Sequence, residues 1–503
     1  MISSDKSKML TITKENQRIL LFVIFFFFAI IFCLISLVNH YQLRTYALDL
    51  GMYNQAVYSY SHFKNAVFTL GTDGREVPFL GTHFSVITVL YSPLYYLFGS
   101  YTLLFIQIAA ILLGGLAVYK YAKEHFEDDS AIPLAIVVQF FGIWGIYSAL
   151  SFDYHDNVLG AMLVPWFIFF LEKRKLINSA VFLILILLTK EVMAIWMLFI
   201  IMGLMIKNRN RRGFNYIRFE IPAAAFCLAY GVIIIGIIMP LIQGAENNLQ
   251  FIRYSHLGNS AGEVFVSILR KPQFLLTLLF GNILNDPAYN GIKTEFHTVL
   301  LLSGGLCLFL RPAYLVMLIP LYALKFMSND YAMWGINYQY SIEFVPIISL
   351  ALADVIRGTK NYRTGILLTI TLLTFAVNIK TMEGRKSKWY NPANTQFYRK
   401  IHYEHDLNLK AIYSAMKMIG KDAIVSTSSN LAPHLAARDS LYHFPVVKNA
   451  GYIVLLTKNV PTYPLNPEEY KIRYMEYIQS GKYYTLYAKN DLMILKRKDH
   501  SNR

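Results

Sequence analysis

Long apolar segments alternate with short polar ones along the chain as far as residue 379. The first, Ile19 to Val38, contains no charged residue and is long enough to cross a bilayer core of about 30 Å. Further apolar segments follow near 101–121, 131–149, 157–171, 176–188, 192–206, 219–242, 296–310, 313–325, 340–356 and 364–379. This pattern predicts about eleven transmembrane helices within residues 19–379. A shorter apolar run at 85–98 predicts a helix at the membrane surface or partly within it.

The pattern changes from about residue 395. Helix-like and strand-like segments now follow each other, at Leu407–Ile419, Ala423–Thr427, Tyr452–Thr457, Glu468–Gln479, Tyr483–Ala488 and Leu492–Leu495. We therefore predict a small α/β domain at 395–503. The expected fold class is an α-helical polytopic membrane protein with a small C-terminal extracytoplasmic α/β domain.

Composition agrees with a membrane protein. The 503 residues are 55% hydrophobic and only 16% charged, and the mean hydropathy is +0.39. A soluble protein carries about a quarter charged residues. The three cysteines lie inside apolar segments, so we interpret them as small apolar side chains rather than a disulfide or zinc framework.

The distribution of positive charge predicts the orientation. Residues 1–18 form a basic tail that we expect in the cytoplasm, followed by an uncleaved first span. Counting from there, basic clusters fall on the inside at 173–175, 207–212, 311 and 357–363, while the acidic segment 124–130 fits less well. The outside segments are then 39–84, 151–157, 189–191, 243–295, 326–339 and everything after 379. The net charge of +16 comes with no nucleic-acid-binding signature, so membrane lipids are the expected partner.

The two largest outside segments are 39–84 and 243–295, and the second predicts an interfacial helix around Val264–Phe280. In the first, Asp49 and Tyr53 are four residues apart and would share one face of a helix. Asp49 could be a general base, a metal ligand or an ordinary loop residue. His83, near the end of the segment, could bind substrate, although a lone histidine is more often structural.

The next two outside segments are short and rich in charge. Asp153, His155 and Asp156 lie between two apolar segments, where such groups are costly unless they are paired or used. They could bind a divalent cation or cap the loop with hydrogen bonds. Lys190 and Glu191 could form a structural ion pair, or hold a phosphate and orient a base.

Tyr338, before a later span, belongs either to the interfacial aromatic belt or to a sugar-stacking surface. It shares one predicted membrane face with the candidates above. Loops that converge at one end of a helical bundle form a pocket open to lipid and to the outer space. Acids, histidines and a lysine there suit a phosphate-bearing lipid as one substrate.

Several motifs are similar to one family of membrane proteins. They are Leu48–Ala56, Gly81–Ser85, Ser92–Phe98, Phe152–His155, Thr189–Glu191, Tyr338–Ser341 with Val345-Pro346, Val425–Leu435 and Tyr442–Pro445. Together they resemble the family catalogued as domain of unknown function 2079, over residues 40–500. The chain departs from the family pattern at Val192, where an acid is common, and at Tyr338 and Tyr340, one of which is often histidine.

The layout of that family is similar to that of the GT-C glycosyltransferases. The resemblance implies transfer of a sugar from a polyprenyl-phosphate carrier to an acceptor on the outer face of the cytoplasmic membrane. Asp49 matches the first-loop carboxylate and would be the base, and Asp153 or Asp156 matches a second-loop acid loosely. Lys190, with His83 or His155, would stabilise the leaving phosphate.

A divalent ion held by Asp49 with Asp153 or Asp156 is the alternative electrophile, and the cofactor stays open. Two other function classes stay open as well. One is a transporter or flippase for a lipid-linked or polar solute, and the other is a non-catalytic envelope assembly protein.

Overall fold

The structure is a computed structural model that describes residues 12–128, 130–210, 218–244, 249–258, 261–270, 272–359, 362–458 and 460–498. Most of the predicted cytoplasmic tail, part of the basic loop after Lys207, and the last five residues of the predicted C-terminal domain lie outside these ranges.

Every predicted span is helical. The bundle helices are Lys14–Tyr41, Thr102–Lys123, Ile132–Gly142, Trp144–Leu150, Asp156–Glu172, Leu176–Leu187, Met193–Asn208, Glu220–Ile233, Met239–Gln243, Ile292–Leu300, Leu306–Leu310, Pro312–Phe326, Phe344–Gly358 and Arg363–Glu383. Single π-helical turns, Ile234–Ile238 and Leu301–Gly305, join the helices on either side, the second across a kink at Gly304, whose φ is 103°. The apolar runs fold as helices because a helix satisfies its own backbone hydrogen bonds, and the bilayer core contains no water that could do so.

The number of helices that cross the membrane is smaller on length alone. Among the described residues, five helices are long and apolar enough to span, or six if Ile132–Gly142 and Trp144–Leu150, bent by 46°, count as one. Others are shorter: the 12 residues of Leu176–Leu187 rise only about 18 Å, against a core of about 30 Å. The count of about eleven spans therefore stays a prediction.

Small residues let the helices approach closely. A Cβ added at Gly203 would lie 2.6 Å from the carbonyl oxygen of Ala313, on the neighbouring helix. One added at Gly145 would lie 2.8 Å from the carbonyl oxygen of Ser341. Close backbone approach of this kind is typical of membrane helix interfaces. The first helix instead exposes Phe22 and neighbouring rings along its length, as a lipid-facing helix does.

The connecting segments at one end of the bundle contain short elements. The first connecting segment is residues 42–101, between the first helix and the helix that begins at Thr102. Its elements are the π-helical turn Ala47–Gly51, helices Met52–Ser61, Phe79–Thr82, Thr88–Tyr91 and Tyr95–Phe98, 3₁₀ turns Ser92–Leu94 and Gly99–Tyr101, and the strand pair β1 (Val67–Phe68) and β2 (Val77–Pro78). Proline at position 93 explains why the predicted 85–98 helix is broken. The later segments contain 3₁₀ turns Leu249–Tyr254 and Pro287–Tyr289, and helices Ala261–Arg270, Pro272–Phe280 and Tyr331–Trp334. Two helices thus occupy the region of the single predicted interfacial helix.

The C-terminal region contains a five-stranded mixed sheet. Its strands are β3 (Val425–Thr427), β4 (Leu441–His443), β5 (Tyr452–Leu456), β6 (Tyr483–Lys489) and β7 (Leu492–Arg497), in the order β4-β3-β5-β7-β6. Strand β3 is parallel to β4 and β5, and β7 is antiparallel to β5 and β6. The helical elements here are Pro392–Thr395, Lys400–His402, Leu409–Met416, Ala432–Leu435 and Pro467–Gln479. The four predicted strands form, whereas the three-residue β4 was not predicted.

This sheet packs against the first connecting segment. Leu43, Ala47 and Leu70 share a buried apolar cluster with residues of β3, β4 and β5. The ring of His40 stacks on that of His434, with centroids 4.0 Å apart. The turn that carries Asp49 therefore lies between the helix bundle and the sheet.

Candidate active site at one end of the helix bundle

The predicted candidates converge on a cavity of about 310 Å³ at one end of the bundle. Six of them line it: Asp49, Tyr53, His83, His155, Lys190 and Glu191. The other lining residues are Asn157, Val192, Arg253, Tyr254, Leu321, Leu324, Lys325, Met333, Gln339, Tyr340 and Glu343. Several connecting segments thus contribute to one polar cavity with an apolar side.

Asp49 presents its carboxylate to this cavity. It lies in the π-helical turn Ala47–Gly51, and Asp153 Oδ2 accepts hydrogen bonds from the backbone N–H of Tyr46 at 2.8 Å and of Leu50 at 3.2 Å. These bonds fix the turn. The Asp49 side chain is 29% exposed, and His155 Nε2 lies 3.7 Å from its Oδ1. Within the described ranges its carboxylate accepts no hydrogen bond, so it can accept one from a group bound in the cavity.

The surroundings raise the pKa of both Asp49 and Asp153. Burial raises the pKa of Asp49 to about 6, although the positive charges of His83 and Lys190 act in the opposite direction. Burial and the negative charge of Asp49 raise the pKa of Asp153 well above its usual value. A carboxylate whose pKa approaches the working pH is better matched to accept a proton during a reaction.

Asp156 lies behind the cavity wall and binds two of its lining residues. It is fully buried, accepts a hydrogen bond from the Tyr53 hydroxyl at 2.7 Å, and forms an ion pair with Lys190 at 2.9 Å. Burial alone would lower the pKa of Lys190, but the charges of Asp156 and Glu191 outweigh it and raise that pKa. Lys190 is therefore a stable cation, and one of its three N–H donors is engaged with Asp156.

Glu191, in the short segment 189–191, contacts the connecting segment that follows the first helix. Its Oε2 accepts a hydrogen bond from the Phe84 backbone N–H at 3.1 Å, and its Oε1 lies 3.8 Å from His83 Nδ1. Burial would raise the pKa of Glu191, yet the nearby His83 imidazole and the charge of Lys190 lower it to about 2. His83 in turn stacks parallel to the Tyr53 ring at 5.9 Å.

Two cavity cations were not singled out from the sequence. Lys325 Nζ donates to the carbonyl oxygens of Gly335 at 2.6 Å and Tyr340 at 3.3 Å, and to Ser341 Oγ at 3.2 Å, which uses all three of its donors. Among the described residues, Arg253 has only a long contact, 3.5 Å, from Nε to Asp330, and a sulfur contact at 3.8 Å. Arg253 therefore keeps donors available to the cavity.

The sequence offered a signal for one of these two. A lysine at the end of an apolar segment, as at position 325, marks an ionisable group near membrane depth. Arg253 is a single cation in a long connecting segment, and no local pattern indicated that it would reach the site.

Three candidates do not line the cavity. Asp153 and Asp156 lie behind it, as described, and Tyr338 packs on Phe152 with ring centroids 4.4 Å apart. Tyr338 has a left-handed backbone, with φ at 59°, and Tyr340, two residues later, lines the cavity instead.

Two of the three predicted carboxylates have few oxygens left for a divalent cation. Asp153 Oδ2 is engaged with two backbone N–H groups, and both oxygens of Asp156 are engaged with Tyr53 and Lys190. Across the part of the chain that the structure describes, no three His, Cys, Asp or Glu side chains are grouped so as to hold a metal ion. No step at this site is therefore assigned to a metal held by these residues.

Comparison with known proteins gives a family and a fold. The sequence profile described as "Predicted membrane protein (DUF2079)" matches residues 39–494. No curated protein sequence matches the chain. The fold is similar to that of ArnT from Cupriavidus metallidurans, solved bound to undecaprenyl phosphate, with a TM-score of 0.53 and 10% identity over 95% of this chain and 98% of that one. A weaker likeness, with a TM-score of 0.37 and 12% identity, links 86% of this chain to 65% of the apo oligosaccharyltransferase of Archaeoglobus fulgidus.

Proposed function

The chain belongs to the DUF2079 family of predicted membrane proteins, and on that premise we propose that it is a membrane glycosyltransferase. It would move a sugar from a polyprenyl-phosphate carrier to an acceptor hydroxyl on the outer face of the cytoplasmic membrane. The observation that carries this proposal is the Asp49 carboxylate, held rigidly by the fold and facing a polar cavity without a hydrogen-bond partner in the described part of the chain.

Asp49 has the geometry of a general base. In the proposed step it accepts the proton of the acceptor hydroxyl while that oxygen forms a bond to the anomeric carbon of the sugar. The bond between that carbon and the phosphate oxygen breaks, and its electron pair leaves with the phosphate. Asp153 is a positioning residue for this step, because its hydrogen bonds hold the turn on which Asp49 lies.

The leaving phosphate needs cationic donors. Lys190 has two N–H donors left, and Arg253 has its guanidinium largely unengaged. Because Asp156 already balances much of the charge on Lys190, we assign Arg253 the larger share of phosphate binding. Positioned donors of this kind stabilise the charge that develops on a leaving group. Tyr53, His83, His155 and Glu191 complete the proposed substrate site, and Tyr338 lies outside it.

The proposed topology puts this site outside the cytoplasm. In it, residues 1–18 are a cytoplasmic tail, 19–379 the multispanning domain and 395–503 an external α/β domain. The basic residues Lys173, Lys207, Arg311 and Arg357 support this orientation, since they lie at the bundle end opposite Asp49. The external domain would hold the Asp49 turn, because Ser429 Oγ accepts a hydrogen bond from the Ala47 N–H at 3.3 Å.

The donor class is the first point to test. The ArnT structure contains undecaprenyl phosphate, and the phosphate-binding groups above support a carrier of the same class here. We expect saturable binding of polyprenyl phosphate to purified protein in nanodiscs. Arg253→Gln should weaken it about tenfold or more, since a hydrogen bond to a charged group contributes about 1.5–3 kcal/mol.

The matched control is Arg270→Gln, an exposed arginine in the same connecting segment that does not line the cavity. It should bind the carrier as the wild type does. Absence of saturable binding, or equal weakening in both variants, would contradict the proposal and favour a transport or assembly role.

A further inference from the structure

The two helices that bring Asp156 and Lys190 to the proposed active site carry a second ionic cluster at their other ends. Glu172 is the last residue of the helix Asp156–Glu172, and Lys207 lies in the last turn of Met193–Asn208. At 1.5 Å per residue, each helix separates the two clusters by about 25 Å. The second cluster is therefore distinct from the Asp49 site.

Lys207 is the centre of this cluster. Its Nζ lies 2.5 Å from Glu172 and 2.7 Å from Asp354, and it donates to the hydroxyls of Tyr314, at 3.0 Å, and Tyr121. Two carboxylates thus neutralise the ammonium. Lys207 anchors the site but has little charge left for a ligand.

A cavity of about 570 Å³ lies against this anchor. Among the described residues that line it are three arginines, Arg209, Arg311 and Arg357, and one carboxylate, Asp354. Arg311 Nη2 donates to the backbone carbonyl of Asp354 at 2.9 Å, while its Nε is shielded from solvent and has no hydrogen-bond partner in the described ranges. Arg209 and Arg357 are exposed and form no ion pair with any described residue.

A neighbouring cavity of about 610 Å³ differs in this respect. It shares Lys207 and Arg357, but its other cations are already paired: Lys173 with Glu124 at 2.7 Å and Arg174 with Glu220 at 2.6 Å. The surplus of positive charge therefore lies on the side of the three arginines. Such a surplus, with donors aimed into a cavity, favours a phosphate group.

The rim of the arginine cavity is apolar. Ile206 and Leu310 line it and are 41% and 65% exposed, and the neighbouring Phe309 is exposed as well. These side chains lie near the ends of apolar helices, which in the proposed topology is the level where lipid tails meet headgroups. A soluble phosphate would leave this apolar rim uncovered, whereas acyl chains would cover it.

We propose that the cavity lined by Arg209, Arg311 and Arg357 binds the phosphate headgroup of an anionic phospholipid, at the end of the bundle opposite the Asp49 site. Basic pockets between membrane helices are suited to such headgroups. The ligand and the location both differ from those of the proposed transferase site, so lipid binding here does not depend on sugar transfer there.

The test is a titration of the full chain in neutral detergent with phosphatidylglycerol, with phosphatidylcholine in parallel, and with bound lipid counted by native mass spectrometry. The variant is Arg209→Gln/Arg357→Gln, whose two exposed cations have no described ion-pair partner and are not needed for packing. Lys175→Gln, an exposed cation at the same end that does not line the cavity, is the matched control. We expect the wild type to bind one phosphatidylglycerol more tightly than it binds phosphatidylcholine. We expect the double variant to bind phosphatidylglycerol roughly 30-fold more weakly than the wild type does.

Each other outcome overturns the proposal. If inorganic phosphate displaces the lipid at similar concentration, and does so only when the arginines are present, the site takes a soluble phosphate rather than a lipid. If the double variant and the Lys175→Gln control bind phosphatidylglycerol equally, or if both lipids bind alike, the cavity is not an anionic-lipid site.

Discussion

Removing the Lys190 ammonium tests what holds the wall of the candidate site in place. Asp156 is fully buried and has two charge-stabilising partners, Lys190 at 2.9 Å and the Tyr53 hydroxyl at 2.7 Å. In Lys190→Met, the carboxylate keeps only the neutral hydroxyl and stays out of water. Breaking one side of a buried ion pair in this way costs about 3–5 kcal/mol.

The reverse variant should cost less. In Asp156→Asn, Lys190 keeps the nearby charge of Glu191 and some access to the cavity, so we expect a loss of about 2 kcal/mol. Asp156→Asn/Lys190→Met leaves no uncompensated charge between these two positions. Its loss should be smaller than the sum of the single losses by about 2 kcal/mol or more.

The assay is reversible unfolding in mixed micelles by added SDS, followed by the fluorescence of the five tryptophans. Lys421→Met, at an exposed position of the C-terminal region, is the control and should stay within about 0.5 kcal/mol of wild type. A Lys190→Met protein within about 1 kcal/mol of wild type, or strictly additive single variants, would refute the description of this pair as a buried, mutually dependent unit.

Further predictions concern the base and the packing of the bundle. Because burial raises the pKa of Asp49 to about 6 and a base must be ionised to act, sugar transfer should be level above that pH. Below it, the rate should fall by about tenfold per pH unit, as a pH–rate profile of kcat/KM would show; a profile that is flat down to pH 4.5 would exclude Asp49 as the base. Gly203→Ala should lower the free energy of unfolding by about 1–3 kcal/mol, because its Cβ would lie 2.6 Å from a backbone oxygen. Gly365→Ala, whose Cβ meets nothing within 4 Å, should be neutral or slightly stabilising in the same SDS titration, and equal losses would contradict the close helix contact.

Much of the helix bundle could be predicted from the sequence because its signal is local. Long apolar runs must form helices in a membrane, and each predicted run is helical in the structure. The bend of 46° after Gly142 and the three-residue strand Leu441–His443 were not predicted. The bend lies inside one apolar run, and so short a strand is defined by its neighbours rather than by its own pattern.

The grouping of the candidate residues was also predictable in part. Six of them meet in one cavity, since connecting segments at one end of a bundle lie close together. The sequence did not separate Asp49 from Asp153 and Asp156. That distinction depends on hydrogen bonds between distant segments, such as those from Tyr46 and Leu50 to Asp153. Arg253 reaches the cavity through the tertiary course of a long segment, which no local spacing encodes.

The proposed transfer depends on the Asp49 carboxylate, so the decisive experiment follows turnover of a lipid-linked sugar. The measurement is release of polyprenyl phosphate from polyprenyl-phosphate-linked hexose and pentose by protein in nanodiscs, with envelope glycolipids as acceptors. Asp49→Asn should bind polyprenyl phosphate as the wild type does but release it about 10²–10⁴-fold more slowly. Asp73→Asn, an exposed acid in the same connecting segment, should retain full activity. Wild-type turnover in a folded Asp49→Asn protein would exclude Asp49 as the general base.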